Sequence, residues 1–278
     1  MRTSQNTPSG GNSLVIVGEL INSSREPVRR ALEMRDEATL LELAKMQLDC
    51  GADYIDLNCS ALGDGEEATL TWVVSLIREN LEAKISLDSP NPETLLRVLA
   101  RCEGKLLVNS ITAGSQLLAD VLQAAKDRQA KVVGLCMAER SLPQSPKETI
   151  EYAGQLIEAA QAHGFPVGDL YLDPLVRSVA TEPASSGLFL KSLQAVKSLT
   201  QDAKTICGLS NISFGMPTRR ALNRAFLPLA VAYGLDAVIL DPTDELLMST
   251  LYAAKALTDP VNGVAEYIRA YRAGRVVT

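Results

Sequence analysis

Short apolar runs alternate with amphipathic stretches along most of the chain, and carboxylate or amide residues stand where the apolar runs stop. VIVGEL ends in Glu19, YIDLN carries Asp56 and Asn58, and ISLDS carries Asp88. LLVNS brings Asn109, LYLDP Asp173, TICGLSN Asn211 and VILDP Asp241. Runs of this β-branched or leucine-rich kind describe parallel strands buried on both faces. Eight strands are predicted, over residues 14–19, 52–57, 84–88, 105–109, 131–137, 170–173, 205–210 and 237–240. They recur every 20 to 40 residues or so, roughly the pace of βα units in a closed barrel, where polar groups at the carboxyl ends converge on one cavity. The expected fold is therefore α/β, a TIM (β/α)8 barrel. A doubly wound open sheet is the competing architecture, but the first strand lacks the GxGxxG turn of the dinucleotide-binding sheets.

Helix signals fall between the strands. Asn91-Pro92 supplies an N-cap followed by proline at the first helical position, with Gly104 marking the far end. Ser145-Pro146-Lys147-Glu148 reads as a capping box opening a helix that stops near Gly164. Residues 38–50 place Leu40, Leu41, Leu43, Ala44 and Leu48 on one face, and Gly51 ends that helix. The polar, Gly/Ser-rich residues 1–13 are expected to be a flexible tail, and residues 14–278 a single domain.

At 278 residues and 46% hydrophobic content the chain can bury one large core. A net charge of −6 gives no support to a polyanion-binding surface, so no nucleic-acid partner is expected. Asp or Gly interrupts the apolar stretches before membrane-spanning length, and the N-terminus lacks an apolar signal core; the expectation is a cytoplasmic protein with no membrane partner. Five cysteines stand singly, with no CxxC pair, which suits a reducing compartment. Cys59, Cys136 and Cys207, in or just beyond strands, read as small buried hydrophobes.

What is missing narrows the chemistry. The single histidine, His163, falls at a predicted helix C-terminus. A Ser-His-Asp hydrolase finds no placed base, an H-E-x-x-H zinc site is impossible, and no P-loop occurs. Carboxylates, amides or a bound cofactor must carry the function, and no metal site is expected. Asp88, Asn109 and Asp173 form the sharpest set. A fused ring with a guanidine-like edge offers paired N–H donors that one carboxylate can accept in parallel, and an amide suits an edge alternating donors and acceptors. Each acid could also be a local cap, since Asp88 precedes Ser89-Pro90 and Asp173 precedes Pro174.

These residues carry a resemblance. GELIN (18–22), DLN (56–58), LDSPN (87–91), VNS (108–110), LYLDPL (170–175), GLSNISFGMP (208–217) and GLDAVILDP (234–242) together resemble the pterin-binding methyltransferase family. Within it the likeness is to the methyltetrahydrofolate:corrinoid protein methyltransferases and the folate domain of cobalamin-dependent methionine synthase. It runs from residue 15 to about 256 and implies a TIM barrel. It also implies that Asp88, Asn109 and Asp173 hold the pterin ring and that Asn211 sits beside N5, the methyl-bearing nitrogen. An amide bonding more strongly as N5 gains charge would stabilise the transition state selectively. Asp56 and Asn58 are expected in a second layer around the ring, with Glu19 and Asn22 fainter candidates. Arg219 is expected against the pterin carbonyl or the folate tail, or else as a solvated helix-start residue. Asn211 has its own local alternative, an Asx-turn closing the SNIS loop. Trp72 and Phe214 are expected to be packing or loop contacts.

The implied reaction is methyl transfer between N5 of tetrahydrofolate (or 5-methyltetrahydrofolate) and the cobalt of a corrinoid (cobalamin) on a separate corrinoid protein, in either direction, by a homodimer. The chain departs from the family pattern at Leu20, where arginine is common, and in the apolar loop 212–216. Three alternatives stand beside it: a dihydropteroate synthase-like enzyme, a non-catalytic reduced-folate binder, and a Mg²⁺-dependent aldolase.

Overall fold

The apolar runs are the strands of a closed, all-parallel barrel in a computed structural model that describes residues 14–200 and 202–278. The strands are β1 (Val15–Asn22), β2 (Tyr54–Asn58), β3 (Lys84–Asp88), β4 (Leu106–Thr112), β5 (Lys131–Leu135), β6 (Leu170–Asp173), β7 (Lys204–Gly208) and β8 (Ala237–Leu240). Each pairs with its sequence neighbour, and β8 returns to β1 to close the ring. This is the TIM barrel expected from the strand count. The tail expected over residues 1–13 lies outside the described residues.

Helices α1 (Glu26–Glu33) and α2 (Glu37–Asp49) both follow β1. After them come α3 (Glu66–Asn80), α4 (Pro92–Arg101), α5 (Leu118–Asp127), α6 (Pro146–Ala162), α7 (Ser185–Leu199), α8 (Arg219–Ala232) and α9 (Glu245–Thr258), one after each remaining strand, and α10 (Gly263–Arg272) packs on α9. The caps are those the residues call for. The Asn91 side chain accepts the Glu93 N–H at 3.0 Å, and the Ser145 hydroxyl oxygen accepts the Glu148 N–H at 3.2 Å. The return bond of the expected capping box reaches one residue further: Glu148 accepts from the N–H of Gln144 at 3.0 Å. Gly51 takes a φ of +102° and turns the chain out of α2 toward β2, a conformation glycine adopts without a Cβ clash.

Alternation along the strands divides the core in two. Residues such as Ile55, Leu57, Ile85, Leu87, Val108 and Leu172 face the helices in one large buried cluster. Their neighbours face the barrel axis and fill it in layers drawn from alternate strands. Tyr54, Leu107, Tyr171 and Ala237 come from even strands, and Val17, Val133 and Ile206 from odd ones. At the amino-terminal end, the first residues of β3, β5 and β7 are lysines laid over this floor. Lys84 sits 5.4 Å from the Tyr54 ring centroid, and Lys131 and Lys204 sit 5.4 and 5.8 Å from that of Tyr171. Among the described residues no helix is long and apolar enough to cross a membrane.

Two strand ends differ from expectation in ways that matter for the cavity. β1 continues to Asn22 through a register shift between Gly18 and Ile21. β7 stops at Gly208, so Ser210, expected in the strand, lies with Asn211 on a short 3-10 turn, Leu209–Ser213.

Candidate active site

The axis-facing positions that carry apolar side chains lower in the barrel carry polar ones at its carboxyl end. β2, β4 and β6 contribute Asp56, Asn109 and Asp173, all buried. β1 and β3 contribute Glu19 and Asp88, and Asn58 ends β2. The register shift in β4 between Asn109 and Ile111 leaves Ser110 out of the ladder at the mouth.

Four of the expected residues form one network. Asn109 Nδ2 donates to Asp56 Oδ1 at 3.3 Å, and Asn58 Nδ2 donates to Asp88 Oδ2 at 2.9 Å. Asp56 and Asp88 face one another. Burial, and then the neighbouring Asp88 charge, hold the Asp56 carboxyl well above the ordinary carboxylate range. Burial also raises Asp88, while the hydrogen bonds from Asn58 and Asp56 pull it back. The consistent description is a shared proton, carried by Asp56 and donated to Asp88, which leaves Asp88 the acceptor that faces outward. Asp88 is not the cap of the following turn. The Ser89 hydroxyl oxygen takes that role, accepting the Asn91 N–H at 3.0 Å. Asn58, Ser60, Asp88, Ser110 and Glu139 are among the residues lining a hollow of about 460 Å³.

Asp173 stands apart from that network. Its local role is real: it accepts the Leu175 N–H at 2.7 Å, fixing a residue whose φ is +71°. The bond leaves the rest of the carboxylate unmatched in a buried setting beside Cys136 and Cys207, whose thiols burial also pushes up. Desolvation outweighs the Leu175 N–H and carries Asp173 up to about 7.

Asn211 lies on the turn after β7 and lines a different cavity from Asp88. The 3-10 turn is closed by its backbone carbonyl, which accepts the Phe214 N–H at 3.2 Å, and among the described residues no N–H is bonded to its side-chain oxygen as an Asx-turn would require. Its side-chain amide has no hydrogen-bond partner among the described residues, and it opens on a cavity of about 710 Å³. Gly208 makes room for it, because a Cβ there would come 3.2 Å from Asn211 Nδ2. Arg219 fastens the turn, donating through Nη2 to the Ser210 carbonyl at 2.7 Å and through Nε to the Ser213 hydroxyl at 3.1 Å. It is the first residue of α8 and is exposed, as the helix-start alternative has it, and it also lines the same cavity. Phe214 is 68% exposed and stands on the lip, between this cavity and a hollow of about 340 Å³ that includes Leu142 and Val176. Trp72 is away from the mouth, half-buried under the Arg35 guanidinium.

The sequence named Glu19 only faintly, gave Asp241 as a strand-end residue without a role, and passed over Ser210 and Arg25. All four line the Asn211 cavity. Glu19 and Asp241 obey the same strand-end rule as the others and were legible from it. Ser210 and Arg25 were not, since their roles depend on contacts across the barrel. His163 caps the end of α6 and is exposed. Among the described residues no cluster of three or more His, Cys, Asp or Glu side chains is arranged to hold a metal ion.

Residues 18–241, which span every one of these strand ends, match the pterin binding enzyme family. The chain belongs to that family. Among pterin binding enzymes and their relatives, it is 29% identical over 265 residues to the methylcorrinoid:tetrahydrofolate methyltransferase of Eubacterium limosum, covering 95% of this chain and 98% of that protein. It is 26% identical over 252 residues to the methionine synthase of Mycobacterium tuberculosis, covering 86% of this chain and 21% of that much longer protein. Solved structures of 7,8-dihydropteroate synthase from Vibrio fischeri ES114 (TM-score 0.68, 14% identity, 90% of this chain and 94% of that one) share the fold. So does the Yersinia pestis dihydropteroate synthase (TM-score 0.64, 16% identity, 88% and 93%). At such identity the likeness is one of fold alone.

Proposed function

We propose that this pterin binding enzyme moves a methyl group between N5 of tetrahydrofolate and the cobalt of a corrinoid carried by a separate protein. The near end-to-end similarity to a methylcorrinoid:tetrahydrofolate methyltransferase supports the reaction class. The observation that carries the site is the Asn211 amide, without a hydrogen-bond partner among the described residues, on a turn that Arg219 fastens and facing a cavity that Glu19, Asp241 and Asp244 also line. The corrinoid supplies the cobalt that accepts or donates the methyl group; the chain supplies binding, orientation and a place for the proton.

In this assignment Asp88, Asn109 and Asp173 accept and donate along the edge of the pterin, with Asp56 and Asn58 setting the protonation and direction of Asp88. A neutral pterin is well matched to these groups, because an ionised acid facing two ring N–H donors recovers the desolvation cost that burial imposes. Asn211 bonds to N5 and strengthens that bond as the nitrogen gains charge. A tertiary amine holds its methyl group tightly, so stabilising charge at N5 is what the reaction requires of the protein. Phe214, with Leu142 and Val176 in the hollow beside it, forms the lip on which the corrin face would rest. We further propose a cytoplasmic homodimer, with a corrinoid protein as its transient partner.

The test is a single-turnover reaction of the purified protein with 5-methyltetrahydrofolate and cob(I)alamin, followed by the loss of the cob(I)alamin absorbance. The reverse assay uses methylcobalamin and tetrahydrofolate. Transfer in either direction supports the assignment. Tight folate binding without transfer would leave a reduced-folate binding protein instead.

A further inference from the structure

Methyl transfer at N5 exchanges one proton with the protein or with water. When the methyl group leaves for cobalt, the C–N5 bond breaks, its electron pair stays on nitrogen, and N5 must end with a hydrogen. In the opposite direction the N5 lone pair forms the new bond to the methyl carbon, the Co–C pair stays on cobalt, and N5 gives its proton up. An amide cannot serve as that acid or base, so Asn211 leaves the proton unaccounted for.

Three acids line the Asn211 cavity. Asp241 accepts through Oδ1 from the Thr243 N–H at 2.9 Å and the Thr243 hydroxyl at 2.6 Å, and among the described residues it makes no bond to the turn that carries Asn211. Asp244 caps α9 and is paired with Arg224 at 2.6 Å. Glu19 differs. Its Oε1 accepts from the Ser210 hydroxyl at 2.7 Å and from Arg25 at 3.2 Å, while Oε2 has no partner among the described residues. Its side chain keeps only 17% of its exposure. Ser210 immediately precedes Asn211 on the 3-10 turn, so the hydroxyl bonded to Glu19 and the amide assigned to N5 are presented by consecutive residues.

We propose that Glu19, acting through the Ser210 hydroxyl, delivers the proton to N5 when the methyl group departs and collects it when the methyl group arrives. This rests on the methyl-transfer function proposed above. In the delivering direction Ser210 gives its hydrogen to N5 and takes one from the Glu19 carboxyl; the collecting direction reverses both moves. The charged groups facing Glu19 are Arg25 from the loop after β1, Arg219 from α8 and Asp241 after β8. Burial dominates them and Asp241 adds to it, raising the Glu19 carboxyl above the ordinary carboxylate range, while Ser210, Arg25 and Arg219 draw it down.

The experiment is single-turnover transfer from 5-methyltetrahydrofolate to cob(I)alamin between about pH 5.5 and 9, for the wild-type chain, Glu19→Gln and Ser210→Ala, with tetrahydrofolate affinity measured alongside by calorimetry. The wild-type rate should fall as pH rises through the Glu19 pKa. Glu19→Gln should lose that limb and slow about 10²-fold, with affinity held within about threefold, as for removal of a general acid. Ser210→Ala should slow by about tenfold or more with affinity kept. Three outcomes for Glu19→Gln would overturn the relay: a near wild-type rate, a slowed reaction that keeps the wild-type pH limb, or a rate that falls only in step with folate affinity. If Glu19→Gln loses the native near-UV circular dichroism, Ser210→Ala decides, and a wild-type rate and limb in that variant overturn the proposal. A wild-type chain that transfers no methyl group in either direction would overturn the proposed function itself.

Discussion

Replacing Asp173 by asparagine should stabilise the ligand-free protein while weakening its hold on folate. In the folded chain burial lifts this carboxyl from 3.8 to about 7, against the pull of the Leu175 N–H. A raised native value means that the folded state holds a proton which the unfolded state has released. Between about pH 4 and 7 stability therefore falls as pH rises, and it is level on either side. A shift of roughly three units at about 1.4 kcal/mol each sets a ceiling near 4 kcal/mol for the cost of ionising Asp173 above pH 7. Asparagine has the shape of the protonated acid and can still accept from Leu175. The variant should thus match the wild type near pH 4 and be more stable by about 2 to 4 kcal/mol at pH 8. Urea denaturation at several pH values measures this directly. A constant offset across pH, or a variant less stable at pH 8, would refute the electrostatic reasoning. The same carboxyl must ionise to accept ring donors, so wild-type folate affinity should drop about tenfold per unit below roughly pH 7 through this group. Asp173→Asn should lose that component and bind at least about tenfold more weakly at pH 8, as when a charged acceptor is withdrawn.

Further outcomes are expected elsewhere in the mouth. Asn211→Ala should cut single-turnover methyl transfer by about 10²-fold or more while leaving folate affinity within a few fold, the pattern of a lost transition-state donor; an equal loss in both would place Asn211 in ground-state binding. Gly208→Ala, whose new Cβ would meet Asn211 Nδ2 at 3.2 Å, should lower the transfer rate with little change in thermal stability, and an unchanged rate would show that the amide has room to move. Asn58→Leu removes the donor that holds Asp88 down, so carboxyl NMR should find Asp88 titrating higher than in the wild type. An unmoved Asp88 would remove Asn58 from the network.

The fold was legible because buried parallel strands leave a mark that short-range chemistry does not obscure. β3, β6 and β8 lie where the apolar runs place them, and the polar residue at each end marks the mouth. Boundaries failed where hydrogen bonding, not hydrophobicity, decides them. Nothing in TICGLSN signals that the ladder stops at Gly208 and that Asn211 rides a 3-10 turn. Asp56 and Asn58 were readable as companions of the ring set because they share one strand. The bond between Glu19 and Ser210 joins residues 191 apart in the chain. Such a pair exists only once the barrel closes, and a sequence read without its closure gives no reason to link them. Arg219 was visible as a basic residue near the right motif, yet its use as a clamp on the Ser210 carbonyl depends on backbone that a sequence does not display.

The lysine and tyrosine packing at the amino-terminal end of the barrel has a kinetic corollary. With Tyr54 and Tyr171 almost wholly enclosed and three lysines lying across them, the far end of the interior is stoppered. On the proposed function, folate and the corrin partner then share a single doorway, and whichever is bulkier must wait until the smaller is seated. Such an enzyme should bind in sequence, folate inward and the corrin partner pressed on after it, and release them in the opposite order.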